Sequence, residues 1–494
     1  MKKHMTDFDV EASRATKPYF YSAPYPEDGE YVPYDYQFAG VEYHLKRNNA
    51  LFGDAPGLGK TAECILLGNA IEAKNTLVVC PASLRLNWER EIWRWSTQTN
   101  VNTYPILKSS DGVSLKADYT ITSYDMLRNS AILEAIMDQM WDHLILDEAH
   151  ALKDPKGNKR TKVLCAPDML PSVVGRITMA SGTILPNQPI ECYNMIRLLN
   201  WDAIDQISLT DFRNYYYGLG GGMIRSPVLV DRDEDNNPIE PRMISKLHWS
   251  DKVRNVPRNL DDLQYRLRKH VMVRRLKEQV LHELPPKRWH VFPLAITPAM
   301  RKALKHPGWK RAEKMYEMDL GAFDRNVPVD GAISTARRLL GEAKAPAVVD
   351  YINELMSEGI TKLVVAAWHH SVLDYMREKL AHHGLVYMDG NTTTVKKQYA
   401  VDQFQGNADI GIILGQMGPL GMGWNFSVAQ DVLNAEPDWV EGRNEQLLDR
   451  PHRPGQQGDY VLGHMPVVPG TMDERIVSNA IRKGIDIYAA LDKQ

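Results

Sequence analysis

The chain has few of the features that would place it outside a cell or inside a bilayer. Its 494 residues include four cysteines, Cys64, Cys80, Cys165 and Cys192. None stands in a Cys-x-x-Cys pair, which argues against a zinc ribbon or finger. Their apolar or mixed surroundings predict buried free thiols in a reducing compartment. No apolar run reaches 18 residues, so no membrane-spanning helix and no membrane partner is expected. The opening MKKHMTDFDVEASRATK lacks an apolar core of signal-peptide length, and an intracellular protein is the expectation. Excess charge is missing too. Fifty-nine Lys and Arg stand against 62 Asp and Glu, a net charge of −3. That excludes a wholly polycationic surface, so any nucleic-acid contact must come from a local basic face.

What remains is the composition of an ordinary globular protein, 44% hydrophobic and 24% charged, at a length that suggests several domains. Residues 1–30 read as a polar, then Tyr- and Pro-rich, tail wrapping onto a first domain at 31–200. There TLVVCP, YTITSY, HLILDE and RITMASG read as buried strands, alternating with helix-patterned TAECILLGNAIEA and LRLNWEREIWRW. Such alternation implies a parallel sheet with both faces covered. Residues 201–290 break the rhythm. YYYGLGGGMIRSPVLVDRDEDNNPIEPR reads as a loop or hairpin insertion, and NLDDLQYRLRKHVMVRRLKEQVLHELPPK as helix up to Pro285-Pro286. Residues 291–340 read as a helical linker. The alternation resumes over 341–494, with KLVVAAW, IGIILG, QDVLNA and YVLGHM as strands and a closing helix after Thr471. The fold class is α/β: two parallel-sheet units with a helical insertion after the first.

GDAPGLGKTAECILLG resembles a phosphate-binding loop, although Asp54 stands where the strict pattern has Gly. Gly57 and Gly59 let backbone N–H groups approach a phosphate. Lys60 can reach the β and γ phosphates, and Thr61 offers a hydroxyl to Mg²⁺ at the helix start. The run HLIL stops at Asp147-Glu148, and burying unpaired carboxylates is costly. A strand end facing Mg²⁺, beside the strand leading into the loop, accounts for both acids. Asp147 would hold the metal, and Glu148 would orient and deprotonate the attacking water. Gln37, in YDYQFAGVEY, could read an adenine edge with its amide or be an ordinary surface glutamine. NEQLLDRPHRPGQQG sets Gln446, Arg450 and Arg453 on one face of a helix. Either they are salt-bridged on the surface, or the arginines stabilise charge on a transferring phosphoryl group.

Taken in order, these segments resemble a superfamily-two helicase motor, specifically a Swi/Snf-type DNA-dependent ATPase. YQFAGV is similar to the Q motif and PASLRLNW to motif Ia. DEAHALKDPKGNKRTK resembles motif II with a basic extension, and SGTILPN motif III. VMVRRLKEQVLHELPPK resembles the brace, GMGWNFSVAQ motif V and QLLDRPHRPGQ motif VI. Within the family the chain looks most like the bare motor of HARP-type annealing helicases, of a size expected for a bacterial or phage version. Ser181 and Ile184 in motif III, and Gln416 and Gly418 in motif V, depart from the usual residues.

The resemblance implies tandem RecA-like lobes with ATP and Mg²⁺ between them. Lobe one would supply Gln37, Gly57, Gly59, Lys60, Thr61, Asp147 and Glu148, and lobe two Arg450 and Arg453. It implies DNA, duplex or branched, as partner to a monomeric motor. Ser83, Arg85, Thr122, Ser123, Lys153, Asn391, Thr392 and Asn425 are the candidate DNA contacts. The run Lys153, Lys156, Lys159, Arg160, Lys162 either binds DNA or is a solvated loop. The cluster Arg268, Lys269, Arg274, Arg275, Lys277 either binds DNA or braces the insertion, and the resemblance favours bracing for part of it. An ATP-driven translocase or remodeller that anneals strands or remodels forks is the first expectation. A strand-separating DNA or RNA helicase and an inactive nucleic-acid-binding scaffold are the alternatives.

Overall fold

The structure, a computed structural model, describes residues 7–27, 31–114, 116–154, 159–182, 184, 189–232, 238–310, 331–438, 441–471, 473–474 and 477, with 159, 217–257, 332 and 441 through the backbone alone. Lys156, much of the SGTILPN stretch, the middle of the expected linker and the closing helix lie outside the described residues.

Two parallel sheets form the body. The first contains β1 (Ala50–Phe52), β2 (Thr76–Cys80), β3 (Thr103–Pro105), β4 (Tyr119–Ser123), β5 (Trp141–Asp147), β6 (Val174–Ala180) and β9 (Met272–Val273), in the order β3-β4-β2-β5-β6-β1-β9. The intervening β7 (Tyr217–Arg232) and β8 (Pro238–Pro257) pair with each other, antiparallel, and among the described residues with no other strand. The second sheet contains β10 (Lys287–Pro293), β11 (Leu363–Ala367), β12 (Leu385–Met388), β13 (Ile412–Gln416), β14 (Asp431–Asn434) and β15 (Val461–Val467), in the order β10-β15-β14-β11-β13-β12.

The period of two along each strand divides each core into two layers. In lobe one, Leu77, Val79, Leu144 and Leu146 pack on one face, while Val78 and Ile145 pack on the other. In lobe two, Val365 and Leu414 lie opposite Val364 and Ile413 in the same way. Both faces are buried, so the strands read as continuous apolar runs. Residues 7–27 lie against lobe one: Glu42 accepts from the backbone N–H groups of Tyr19 and Phe20, and Pro24 O accepts from Asn69.

Four expectations need correction. The acidic strand β5 is not beside β1, because β6 lies between them, pairing with both. The segment expected to be helical up to Pro285 is broken between two helices, Leu260–His270 and the short Lys277–Val280. Between them the chain extends as β9, because Met272 and Val273 pair with Leu51 and Phe52 and bury their side chains in lobe one. The loop or hairpin expected to end at Arg242 is a hairpin, β7–β8, that extends to Pro257. Finally, residues 287–293 belong to lobe two as β10 against β15, and the helix Gly331–Ser357 runs through the expected boundary at 341. The cysteines are free thiols as expected, with Cys64, Cys80 and Cys192 buried and Cys165 partly so.

Two histidines are sealed inside lobe one. His143 on β5 bonds Thr178 at 2.7 Å, and burial holds its imidazole down to about 3. Burial also depresses His44 well below the ordinary value. The folded state keeps both neutral while the unfolded chain takes up protons near pH 6.5. Their contribution is therefore complete above that pH and is lost as pH falls toward the folded values. Urea denaturation should show stability falling by about 1.4 kcal/mol per pH unit for each such histidine between pH 6.5 and pH 5. His143→Leu should flatten that slope, whatever its stability at pH 7.

Candidate active site at the lobe interface

β1 feeds the loop 53–59, which ends at the helix Lys60–Ala70. Gly57 and Gly59 adopt φ of 89° and 76°, the left-handed region that favours glycine. A Cβ at Gly59 would lie 2.5 Å from Gln37 Nε2. One at Gly57 would lie 3.2 Å from Arg453 Cγ and Lys277 Cε. The loop is thus enclosed by the Gln37 helix on one side and by the second lobe on the other. Lys60, its pKa lowered by burial, donates to the carbonyls of Asp54 and Ala55 at 2.8 and 3.2 Å, and Thr61 follows it in the first turn. Gln37 uses both ends of its amide within the chain, accepting from Tyr34 N and donating to Leu58 O. It is a buried strut of the loop rather than a surface glutamine.

Asp54 occupies the position of the usual glycine, and its environment explains why a carboxylate is tolerated there. Arg275, fully buried, bonds both Asp54 oxygens and Glu63 Oε1, the closest approaches being 2.5 and 2.7 Å. Arg274 donates to the carbonyls of Gly53 and Gly182, and Arg268 to Arg274 O. Lys269 pairs with Asp7 and Lys277 with Asp449. Every member of that basic cluster therefore has a partner within the protein, so the cluster braces.

β5 delivers Asp147 and Glu148 to the same cleft. Asp147 accepts from Trp88 Nε1 at 2.8 Å and from Glu148 N at 2.9 Å, and its backbone carbonyl accepts from Tyr124 at 2.7 Å. Burial first, then the charge of Glu148, pushes the Asp147 carboxyl up to about 6. Burial works against ionisation of Glu148 as well, but His150 at 3.1 Å, Lys60 and Arg450 hold it down to about 2. Glu148 takes a left-handed backbone, φ 51°, which turns the chain sharply at the strand end. Ser181 keeps a hydroxyl where threonine is usual, 3.3 Å from His150 Nδ1.

The second lobe completes the cleft. Arg450 is buried, donates to Gln446 O, and lies in the field of Glu148 and Asp147. Arg453 donates to Gly423 O, while its Nε is buried with no hydrogen-bond partner among the described residues. Burial and the neighbouring Arg450 push the Arg453 guanidinium down to about 9. Arg453 thus reaches the phosphate loop, and Arg450 the acid pair, from the far lobe. Glycine-lined loop, helix N-terminus, acid pair and an orphaned guanidinium N–H together fit a metal-bound polyphosphate. Among the described residues no cluster of His, Cys, Asp and Glu forms a metal site without such a ligand.

A model of the SNF2-related domain matches residues 36–341. The chain belongs to the SNF2-related family. This SNF2-related chain is 27% identical over 449 residues to the human DNA annealing helicase and endonuclease ZRANB3, covering 89% of this chain and 38% of that one. It is 28% identical, over 89% of its length and 43% of the relative's, to the SWI/SNF-related matrix-associated actin-dependent regulator of chromatin subfamily A-like protein 1 of Xenopus tropicalis. The chain spans about two fifths of the length of these curated relatives. Among solved structures, the Sulfolobus solfataricus SWI2/SNF2 ATPase core in complex with dsDNA aligns at a TM-score of 0.42 and 16% identity, over 96% of this chain and all of that one.

The expected DNA contacts divide by exposure. Asn391 and Asn425 are exposed, and Lys153 and Thr392 half-buried. Ser83, Arg85, Thr122 and Ser123 are buried, contrary to expectation. Arg85 donates to the carbonyls of Ala82 and Ile106, Ser83 bonds Met422 Sδ, Ser123 receives Met126 N, and Thr122 lies inside β4. Thr392 bonds Asp389, and Gln416 bonds Gly390 N and Trp368 O. Trp88 and Asp449 carry no motif that marks them as site residues, and Lys277 stands out only as a member of the basic cluster. Trp88 repeats at helical spacing with Leu84, Ile92 and Trp95, which reads as core. Only the need of a buried indole N–H for an acceptor hinted at more.

The brace is open to test. Arg275→Met would leave Asp54 and Glu63 buried side by side without their cation. Breaking a buried pair from one side costs about 3–5 kcal/mol, and denaturant unfolding should register a loss of that order.

Proposed function

We propose that this chain is an ATP-hydrolysing DNA translocase or remodeller acting on duplex or branched DNA, with strand annealing or fork remodelling as its outcome. The observation that carries the reading is the approach of Arg450 and Arg453, from lobe two, to the phosphate loop and acid pair of lobe one. A polyphosphate between them would be gripped from both sides, so its binding and cleavage would couple to closing and opening of the cleft. Mg²⁺, when bound, neutralises charge on the β and γ phosphates, and Thr61 and Asp147 are the residues that would hold it. Lys60 would leave the carbonyls of Asp54 and Ala55 for the phosphates. Glu148, held anionic, would accept the proton of the attacking water, while Arg450 and Arg453 stabilise charge on the γ-phosphoryl oxygens. The name of the annealing-helicase relative supports DNA as the substrate and strand annealing as an outcome. Lys153, Asn391, Thr392 and Asn425 are the phosphodiester contacts that this lobe arrangement leaves accessible.

ATPase rates measured with no DNA, single strands, linear duplex, forks and four-way junctions test the reading. Turnover should be low alone and rise strongly with duplex or branched DNA. No stimulation by any nucleic acid would remove the proposal. Glu148→Gln should still bind nucleotide in a fluorescent-analogue titration while kcat falls by about 100-fold or more, since general-base catalysis contributes roughly 10²–10⁴. Trp88→Phe keeps the ring but removes the donor to Asp147. It should raise the Mg²⁺ concentration that half-saturates nucleotide binding by about 10-fold, the scale on which such supporting hydrogen bonds act.

A further inference from the structure

The lobes are joined by a short segment whose two ends carry lysines, and both lysines meet one carboxylate. Lys277 Nζ lies 2.8 Å from Asp449 Oδ1, and Lys287 Nζ lies 2.7 Å from the same oxygen. The two lysines belong to different bodies. Lys277 opens the helix Lys277–Val280, and the residues around it, Leu276, Val280, Leu281 and Leu284, pack on Tyr36, Ala55 and Leu58 at the phosphate loop. Arg275 N, two residues earlier, donates to Asp54. Lys287 opens β10 of the second sheet and also pairs with Glu445. Asp449 directly precedes Arg450. Lys277 further donates to His452 O, one residue before Arg453, and its Nζ lies 3.3 Å from where a Gly57 Cβ would be.

We propose that Lys277 is a positioning residue of the cleft: by pairing with Asp449 across the lobe boundary when the lobes close, it latches the segment bearing Arg450 and Arg453 against the phosphate loop. Asp449 has a second, same-lobe cation in Lys287. Opening therefore breaks one ion pair without stranding a bare buried carboxylate, which is the condition for a contact that must form and break in each cycle. The crossing point between the two lysines is Pro285-Pro286, whose stiffness confines the motion to few backbone torsions. His452 Nε2 bonds Pro285 O at 2.8 Å and ties the same turn to the crossing. The inference rests on the reading of the cleft as an ATP site.

The test compares Lys277→Met with Lys287→Met in the full chain. Dyes are placed on Lys74→Cys and Glu378→Cys, one on each lobe, in a Cys165→Ser background. Lobe closure is read by energy transfer on adding Mg²⁺ with a non-hydrolysable ATP analogue, beside ATPase kinetics and thermal unfolding. Lys277→Met should reduce the closed fraction and lower kcat by about 10-fold, while KM for ATP changes by less than about 3-fold, the mark of an interaction made mainly in the closed, reacting state. Lys287→Met should lower the unfolding temperature yet close as the parent does. The latch is overturned if Lys277→Met closes and turns over like the parent, if the two variants behave alike in every readout, or if Lys277→Met fails to fold, which would make Lys277 a structural member of lobe one. Failure of the parent itself to bind the analogue would instead sink the ATP reading, and the latch with it.

Discussion

A single guanidinium buried under the phosphate loop holds the architecture in register. Arg275 reaches Asp54 at the start of the loop, Glu63 on the helix that leaves it and Tyr36 O on the helix that carries Gln37. Three successive segments, all distant in sequence from Arg275, thereby share one charge. Burial, then the proximity of Asp54, pushes the Glu63 carboxyl well above the usual range. Such a network supplies geometry more than stability, because the desolvation of its members offsets much of their attraction. Here the geometry is that of the loop itself, set by a residue that arrives after the whole hairpin insertion.

The consequence is that the phosphate site and the path between the lobes are one construction. Arg275, Leu276 and Lys277 are consecutive, and in three residues the chain passes from the floor of the loop to the arginine-bearing turn of lobe two. The cleft is held on a second line as well. Arg90 forms a two-pronged pair with Asp402 at 3.2 Å, Thr394 donates to Ala82 O, and Leu84 packs on Gly423. The Arg90 pair is half-exposed and contributes at most a kcal/mol or so, about the value of a surface ion pair. It is therefore suited to be broken and remade, whereas the buried triad around Asp449 makes the tighter seam.

The sequence was informative where chemistry forces local pattern. β2, β5, β11 and β13 carry continuous apolar runs because both faces of a parallel sheet are covered. Gly57, Gly59, Asp147 and Arg453 stand at positions no packing argument would choose. Legibility ended where pairing depended on distant partners. β1 and β9 are three and two residues long, and each is defined by distant partners: β1 by β6 and β9, and β9 by β1. β10 exposes much of its length and alternates too weakly to stand out from a linker. The placement of β6 between β1 and β5 is a matter of topology, on which spacing is silent. Arg85 shows the same limit from the other side. Its charge and its place after a strand suggested a phosphate contact, but two backbone carbonyls within reach made a buried cap instead.

That withdrawal bears on how the cleft could communicate with a strand of DNA. Ser83 and Met422 touch across the lobes, as do Leu84 and Gly423, and Arg453 donates to the carbonyl of that same Gly423. The segment after β2 is therefore two contacts away from the guanidinium that faces the phosphate loop. Any change in the seating of Arg453 must move Gly423, and with it the packing on Leu84 and the neighbouring exposed Asn425. On the translocase reading this is the shortest mechanical path from phosphate to phosphodiester. It runs through backbone and side-chain contacts of lobe two rather than through the divergent positions Gln416 and Gly418. Gln416 is occupied by Gly390 and Trp368, and Gly418 has open space around it. The departures in that motif thus fall beside these contacts and not on them.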